Sequence, residues 1–427
     1  MSRPAPGAAV PDLLVVGAGP AGLALAIRAR QLGLSVSVLD RAPRPPVDKA
    51  CGEGLMPDGL ARLTELGVAL PEGAAAPFRG IRYLDGDTVA DGTFPGGPPG
   101  AGRGSGAGLG VRRTVLHQAL ADRAQVSGVE LRWGVRATGL AAPSGAVGDP
   151  EQPGVSAGEG GVVRGRVLVG ADGLRSAVRR WAGLEGASVS VPAGRPGSSG
   201  PSGASERGRR ARERFGVRRH YRIAPWSDRV EVHWADRCEA YVTPVGPELV
   251  GVAMLWSGAR ASFDGLLARV PALARRLAGA PAASRDRGAG PFRQRPRGVV
   301  RGRIALVGDA SGYLDAITGE GLSLAFHQAF ALAEAARAVT AGEARDLRPY
   351  GRAHRRLRRL PEALIRLLLV AERRPGLRRR TVRALAGDPE LFDRLLALHA
   401  GAVSPRELGP SGALALAGRL VRGLAAP

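Results

Sequence analysis

The chain has 427 residues, enough for more than one domain and a large core. Its formal charge of +23 would ordinarily suggest nucleic acid or an anionic surface, but Lys49 is the only lysine and all other positive charge is arginine, in a chain with 63 glycines. That is the composition of a GC-rich coding bias, and with aromatics at 4% and scattered there is no stacking platform for nucleic acid, while Cys51 and Cys238 are too few for a disulfide framework or a metal cluster. The first predicted elements lie between Asp12 and Asp40: a short apolar strand, a glycine turn, an alanine-rich helix and a second strand, "LSVSVLD", which together read as a βαβ unit on a parallel sheet.

Three stretches rich in Gly, Pro and Ser, at 92–110, 142–161 and 190–210, read as long loops or disordered insertions. After the last of them, "RFGVRRHYRI", "RVEVHWA", "AYVTPVG" and "LVGVAMLW" alternate β-branched and aromatic residues between turns and predict a separate antiparallel sheet. Next come a strand at 303–308 and a helix from Glu320 to Val339. Beyond Arg345 the chain reads as arginine-laden helices, with Pro361 and Pro375 as breaks.

No apolar run approaches the roughly 18 to 20 residues of a membrane span, and "MSRPAPGAAVPD" lacks a signal-peptide core, so a cytoplasmic protein is expected. Gly17, Gly19 and Gly22 form G-x-G-x-x-G around Pro20 and Ala21, directly after a strand and opening a helix. There the bared backbone can approach a pyrophosphate. Asp40 closes the second strand, where a carboxylate accepts hydrogen bonds from an adenosine ribose and repels a 2′-phosphate. This favours FAD or NAD over NADP, with Arg41 a solvated neighbour. Two further motifs follow strands: "VLVGADGLRSAVRR", with Asp172, and "RIALVGDASGYLDAITGEGLSLAF", with Gly308 and Asp309. In "TGEGLSLAF", Gly319, Glu320 and Gly321 start a helix whose free N–H groups can face a flavin pyrimidine, although Glu320 equally suits plain stabilisation of the helix end.

These three segments, in this order, resemble the flavoprotein superfamily that contains p-hydroxybenzoate hydroxylase and the geranylgeranyl reductases. The resemblance spans about residues 11 to 345. It implies an α/β, Rossmann-like FAD-binding domain with an inserted antiparallel β-sheet substrate domain and a helical C-terminus. It gives Asp172 flavin and nicotinamide contacts and Asp309 the ribityl or pyrophosphate region. It also makes Arg113, in "VRRTVLHQAL", the flavin-contacting arginine. The expected layout is FAD-binding segments at 11–85, 111–187 and 296–345, a crossover loop at 86–110, a substrate domain at 188–295 and a helical region at 346–427.

"DKACGEGLMPDGL" resembles the Cys-Gly segment of the geranylgeranyl reductase branch, where Cys51 would lie beside the flavin, although a lone cysteine is as often a packing residue. Gly312 stands where aromatic hydroxylases have histidine. Ala316 departs from a proline common to both branches, and, against the reductase branch, "AYVTPVGPELVG" lacks the tyrosine–tryptophan–phenylalanine–proline pattern of the isoprenoid pocket. "RRHYRIAPW" and "VEVHWADRCEAYVTPVG" look like bacterial flavoproteins of secondary metabolism catalogued as monooxygenases. The expectation is therefore an NAD(P)H-dependent monooxygenase that uses molecular oxygen on a hydrophobic or phenolic small molecule, with NADPH or NADH as transient reductant. The alternative is a reductase of isoprenoid C=C bonds, and a more remote one is a basic RNA- or membrane-surface protein. His220, Tyr221, Trp226, His233 and Tyr241 face either the pocket or the core. If the basic C-terminal helices touch lipid, the contact is peripheral.

Overall fold

In the computed structural model the described residues are 10–96, 106–142, 152–158, 161–186 and 213–401, together with 412, 415, 418, 419 and 422. Leu13–Val16 is a continuous apolar run with all four residues buried, as a central parallel strand covered on both faces requires. It pairs in parallel with Val36–Asp40 on one side and Val167–Gly170 on the other. The six-stranded sheet runs 300–301, 304–306, 167–170, 13–16, 36–40, 130–133, and only its edge strand Val300–Arg301 is antiparallel. Helices Pro20–Gln31, Arg113–Val126 and Gly321–Thr340 pack against it and share one apolar core with the sheet.

The second layer is a seven-stranded sheet in the order 287–289, 214–222, 249–257, 238–246, 230–235, 80–85, 88–93. Its middle is the expected antiparallel set, in continuous register from Arg214 opposite Ser257 to Arg222 opposite Leu249. Its far edge corrects the expected boundary at residue 85. Gly80–Asp85 pairs in parallel with Val230–Ala235, so residues 80–93 belong to the substrate-side sheet rather than to the nucleotide domain or a loop. A pairing across some 150 residues of sequence leaves no local pattern to read.

Two expected loops also contain structure. Gly108–Val111 joins Gly54–Leu55 and Ala75–Phe78 in a small antiparallel sheet, and Gly154–Ala157 with Gly161–Arg164 forms a hairpin against Ala137–Leu140. The 190–210 stretch lies outside the described residues.

The expected helix at 320–339 is found at Gly321–Thr340. Pro361 does not break the chain, because helix Arg348–Arg373 runs through it. Proline removes a backbone donor and crowds the preceding turn, but this helix is pinned on both sides of it, by Arg358 donating to the Gly312 carbonyl at 2.6 Å and by buried Ile365. Pro375 does mark a boundary, as the first residue of helix Pro375–Gly387. That helix and Pro389–His399 lie over the 80–93 hairpin. Arg378 grips Asp85 through two hydrogen bonds at 2.9 and 3.1 Å, and Asp393 accepts the Thr93 N–H at 2.7 Å. No helix among the described residues is long and apolar enough to cross a membrane.

Candidate active site

A cavity of about 990 Å³ lies between the two sheets and the C-terminal helices, and a smaller one of about 240 Å³ continues it past the first glycine turn. Gly19, Arg41, Lys49 and Arg113 line both, so they form one trough.

The three glycines of the first turn have different tasks. Gly17 has φ +110°, and a Cβ there would sit 2.5 Å from the Ala171 carbonyl oxygen. At Gly22 a Cβ would lie 2.0 Å from the Gly17 carbonyl oxygen, so this position lets helix Pro20–Gln31 close on its own turn. Gly19 meets nothing within 4 Å and lines the trough beside Pro20 and Ala21. Its bareness is therefore available to a ligand.

Asp40 lines the smaller end. Its two carboxylate oxygens accept the N–H groups of Ala18 at 2.7 Å and Ala42 at 2.8 Å, which ties the second strand to the glycine turn. Arg41 stands exposed at the rim.

At the other end strand Ile304–Leu306 delivers Gly308 and Asp309 into a single 3-10 turn. Gly308 has φ +61°, and a Cβ would press on the Ala21 side chain at 2.7 Å, so the two motifs touch. Asp309 is open to the trough yet surrounded by protein on its other sides. Desolvation raises its pKa, and Lys49, Arg113 and Arg358 pull the other way. Gly319 and Gly321 line the trough at the start of helix Gly321–Thr340, where its free N–H groups lie, and Glu320 between them makes no side-chain bond to the helix end but pairs with His399.

Asp172 lines the trough, but its oxygens are committed to the Ser176 hydroxyl and to the Ala177 and Val178 amides, so its main work is holding the start of helix Ala177–Trp181. Arg113 is buried with its Nη1 lacking any partner. A buried guanidinium nitrogen left unsatisfied at a cavity wall is the signature of a missing acceptor.

Lys49, Glu53 and His117 were not singled out from the sequence. Lys49 feels Asp40, Asp309, Arg113 and Arg41 together, which places it midway along the trough. Burial and then Arg113 lower its pKa. His117 accepts the Val47 N–H at Nδ1 (2.8 Å) and donates from Nε2 to the Ala18 carbonyl (2.6 Å), fixing one tautomer. Burial and Arg113 push its pKa down to about 4, so it is a neutral brace between the glycine turn and the 47–53 segment. Its signal was spacing, one helical turn after Arg113 on the same helix.

Cys51 lines the cavity. Its Sγ accepts the Glu53 N–H at 3.3 Å, and burial, then Glu53, push its thiol up to about 11, so it stays protonated at neutral pH. Of the strand aromatics, Tyr241 and Tyr83 reach the cavity, the Tyr241 hydroxyl donating to the Ile317 carbonyl at 2.7 Å. Tyr221 and Trp226 pack in the core on the other face, His233 pairs with Glu231, and His220 bonds to Glu53.

The cavity beyond Cys51 is apolar. Ile81, Val230 and Val232 of the sheet face Leu368, Leu385, Phe392 and Leu396 of the C-terminal helices. His399 closes this chamber by donating from Nδ1 to Glu320 at 2.9 Å and from Nε2 to the Thr318 carbonyl at 3.1 Å. Burial lowers the His399 pKa, but Glu320 more than offsets it, and the net shift is upward. The sign for stability follows. Docking of helix Pro389–His399 is strongest below the ordinary histidine value of about 6.5 and weakens as pH rises through the raised value. Limited proteolysis between pH 6 and 9 should cut the C-terminal helices faster at the alkaline end, and His399→Gln should flatten that dependence.

The bare face of Gly19, the unpartnered Arg113 and two separated carboxylates on one trough fit an extended dinucleotide. Residues 11–198 match the family model described as FAD binding domain. A digeranylgeranylglycerophospholipid reductase of Methanosarcina acetivorans is 31% identical over 177 residues, 41% of this chain and 40% of the relative. The chain thus aligns with about 40% of the length of the curated relatives it matches. Among solved structures, a flavoprotein/dehydrogenase from Cytophaga hutchinsonii superposes with TM-score 0.70 at 18% identity over 92% of this chain and 93% of that one. A halogenase variant in complex with FAD superposes with TM-score 0.67 at 15% identity, covering 98% and 93%. These likenesses show a shared fold.

Proposed function

We propose, on the premise that residues 11–198 form an FAD binding domain, that this chain is an FAD-dependent oxidoreductase reducing a carbon–carbon double bond in an extended hydrophobic molecule of isoprenoid type, with NADH or NADPH as reductant. The observation that carries this reading is the chamber itself. It is lined largely by apolar side chains, joins the trough at Cys51, and has Leu367 both on its wall and 54% exposed, which gives an apolar chain a way in. A relative 31% identical over 177 residues is a digeranylgeranylglycerophospholipid reductase, which acts on an isoprenoid lipid.

In this account Gly19 and the start of helix Pro20–Gln31 receive the pyrophosphate, Asp40 the ribose, and Lys49, Arg113 and Asp309 the middle of the dinucleotide. When bound, FAD takes two electrons from the nicotinamide and passes them to substrate or oxygen. The N–H groups at the start of helix Gly321–Thr340 favour negative charge beside them. The apolar wall excludes water, and the neutral Cys51 thiol presents a proton rather than a nucleophile.

A second reading, oxygenation of a hydrophobic or phenolic substrate, draws on the likeness of 218–226 and 230–246 to flavoproteins catalogued as monooxygenases. One experiment separates them. With FAD, NADPH and an isoprenoid alkene under anaerobic conditions, saturated product supports reduction. Product that forms only with oxygen, accompanied by oxygen uptake, supports the second reading instead.

A further inference from the structure

We propose that Glu53, His220 and Ser284 form a proton path from the protein surface to the trough. The idea rests on the redox reading above but on neither of its two reactions. Reduction of C=C by NAD(P)H consumes one proton to balance (C=C + NAD(P)H + H⁺ → CH–CH + NAD(P)⁺). Oxygenation also consumes one (S–H + O₂ + NAD(P)H + H⁺ → S–OH + NAD(P)⁺ + H₂O). Each turnover therefore draws one proton from solvent into a site whose walls are built to exclude water.

The geometry supplies a wire with a direction. Glu53 lines the trough and is 2% exposed, and it is a non-glycine residue held at φ +62°, a conformation that costs energy and persists where its surroundings enforce it. Its Oε1 accepts the Arg113 N–H at 2.8 Å, and its Oε2 lies 2.5 Å from His220 Nε2. His220 is fully buried, and its Nδ1 stands 3.0 Å from Arg218 Nη1 and 2.9 Å from the Ser284 hydroxyl. A guanidinium can only donate, so Nδ1 must accept, and the ring proton sits on Nε2 pointing at Glu53. Ser284 already accepts the His220 N–H at 3.1 Å, which leaves its own hydrogen free for Nδ1. Ser284 is half-buried and so retains some contact with solvent.

The order of donors is thus Ser284 O–H to His220 Nδ1, then His220 Nε2–H to Glu53 Oε2. A proton taken up at Ser284 forms the Nδ1–H bond as the Nε2–H bond breaks, and one proton arrives on the Glu53 carboxylate at the trough. Arg218 is itself held by Asp48, which Arg287 also grips, so the resting tautomer, to which the ring must return after each transfer, is set from outside the wire. Glu53, His220 and Ser284 come from three separate parts of the chain, which is why no sequence motif announces them.

The test reads the proton itself. In the full-length, histidine-labelled protein, the Nε2–H signal of His220 should show the Nε2-protonated tautomer and exchange with water despite complete burial. Ser284→Ala, at a half-buried position, should slow that exchange by about tenfold or more, and Glu53→Gln should shift the signal. In FAD-loaded protein, Ser284→Ala, which lies outside the trough lining, should slow turnover by about tenfold while NADPH still bleaches the flavin at an unchanged rate. Equal exchange rates in the wild type and Ser284→Ala, or a proton found on Nδ1, would overturn the proposal. Flavin that no nicotinamide bleaches would count against the redox reading alone, since the exchange measurement needs no turnover.

Discussion

Gly22→Ala should abolish FAD retention and destabilise the first domain in one step. The added Cβ would sit 2.0 Å from the Gly17 carbonyl oxygen, and the offending atom is backbone, so no rotamer change relieves it. Gly17 cannot yield either, because it is at φ +110° and packed on Ala171. Overpacking of this kind typically costs about 1–3 kcal/mol. The displaced turn would also carry the Ala18 N–H away from Asp40 and the Ala18 carbonyl away from His117. Gly19→Ala is the control: its Cβ meets nothing within 4 Å, so the fold should survive while dinucleotide affinity falls. Thermal unfolding with and without added FAD distinguishes the pair. If Gly22→Ala bound FAD like the wild type, the turn would not be the binding element.

Arg214→Ala should be the most damaging single change outside the trough. Arg214 is 4% exposed and faces three carboxylates: Glu239 and Asp315 at 2.8 Å and Glu372 at 3.3 Å. These join the central sheet, the segment after the Gly-Asp turn and the long C-terminal helix at one buried point. Removing one partner of a buried charge group costs about 3–5 kcal/mol, because the others are left uncompensated. One cation against three acids also predicts a pH dependence. Burial raises the Glu239 pKa to about 7, with Arg214 opposing and Glu372 and Asp315 reinforcing. An acid with a raised folded pKa contributes stability that is complete below its ordinary value and lost as pH rises through the folded one. Unfolding midpoints should therefore fall between about pH 4.5 and 7, and Glu239→Gln should remove that slope. A flat profile in the wild type would mean that all three acids are ionised together.

The nucleotide fold was legible because its determinants are local. Strand, glycine turn, helix and Asp40 occur within one βαβ unit, and the structure places them at Leu13–Val16, Pro20–Gln31 and Val36–Asp40. The expected site residues from Gly17 to Gly321 lie around or brace one trough, but not always in the expected way: Asp172 is spent on a helix start and Asp40 on two backbone amides. What sequence did not reveal is non-local. The 80–93 hairpin joins the second sheet through a parallel pairing with residues 230–235, and the chamber is completed by helices from the far C-terminal region. Lys49 carries no motif and acquires meaning only when distant segments are brought together, and His117 is marked by nothing but its spacing from Arg113 on the same helix.

The most direct measurement of the central claim is the flavin content of the purified protein, by absorbance and by release on heating, compared with Asp309→Ala and Arg113→Ala. The account predicts one FAD per chain, displaced by neither FMN nor NAD, with both variants losing most of it while remaining folded. Protein that neither retains nor takes up FAD, or variants that hold it as well as the wild type, would contradict the assignment of this trough.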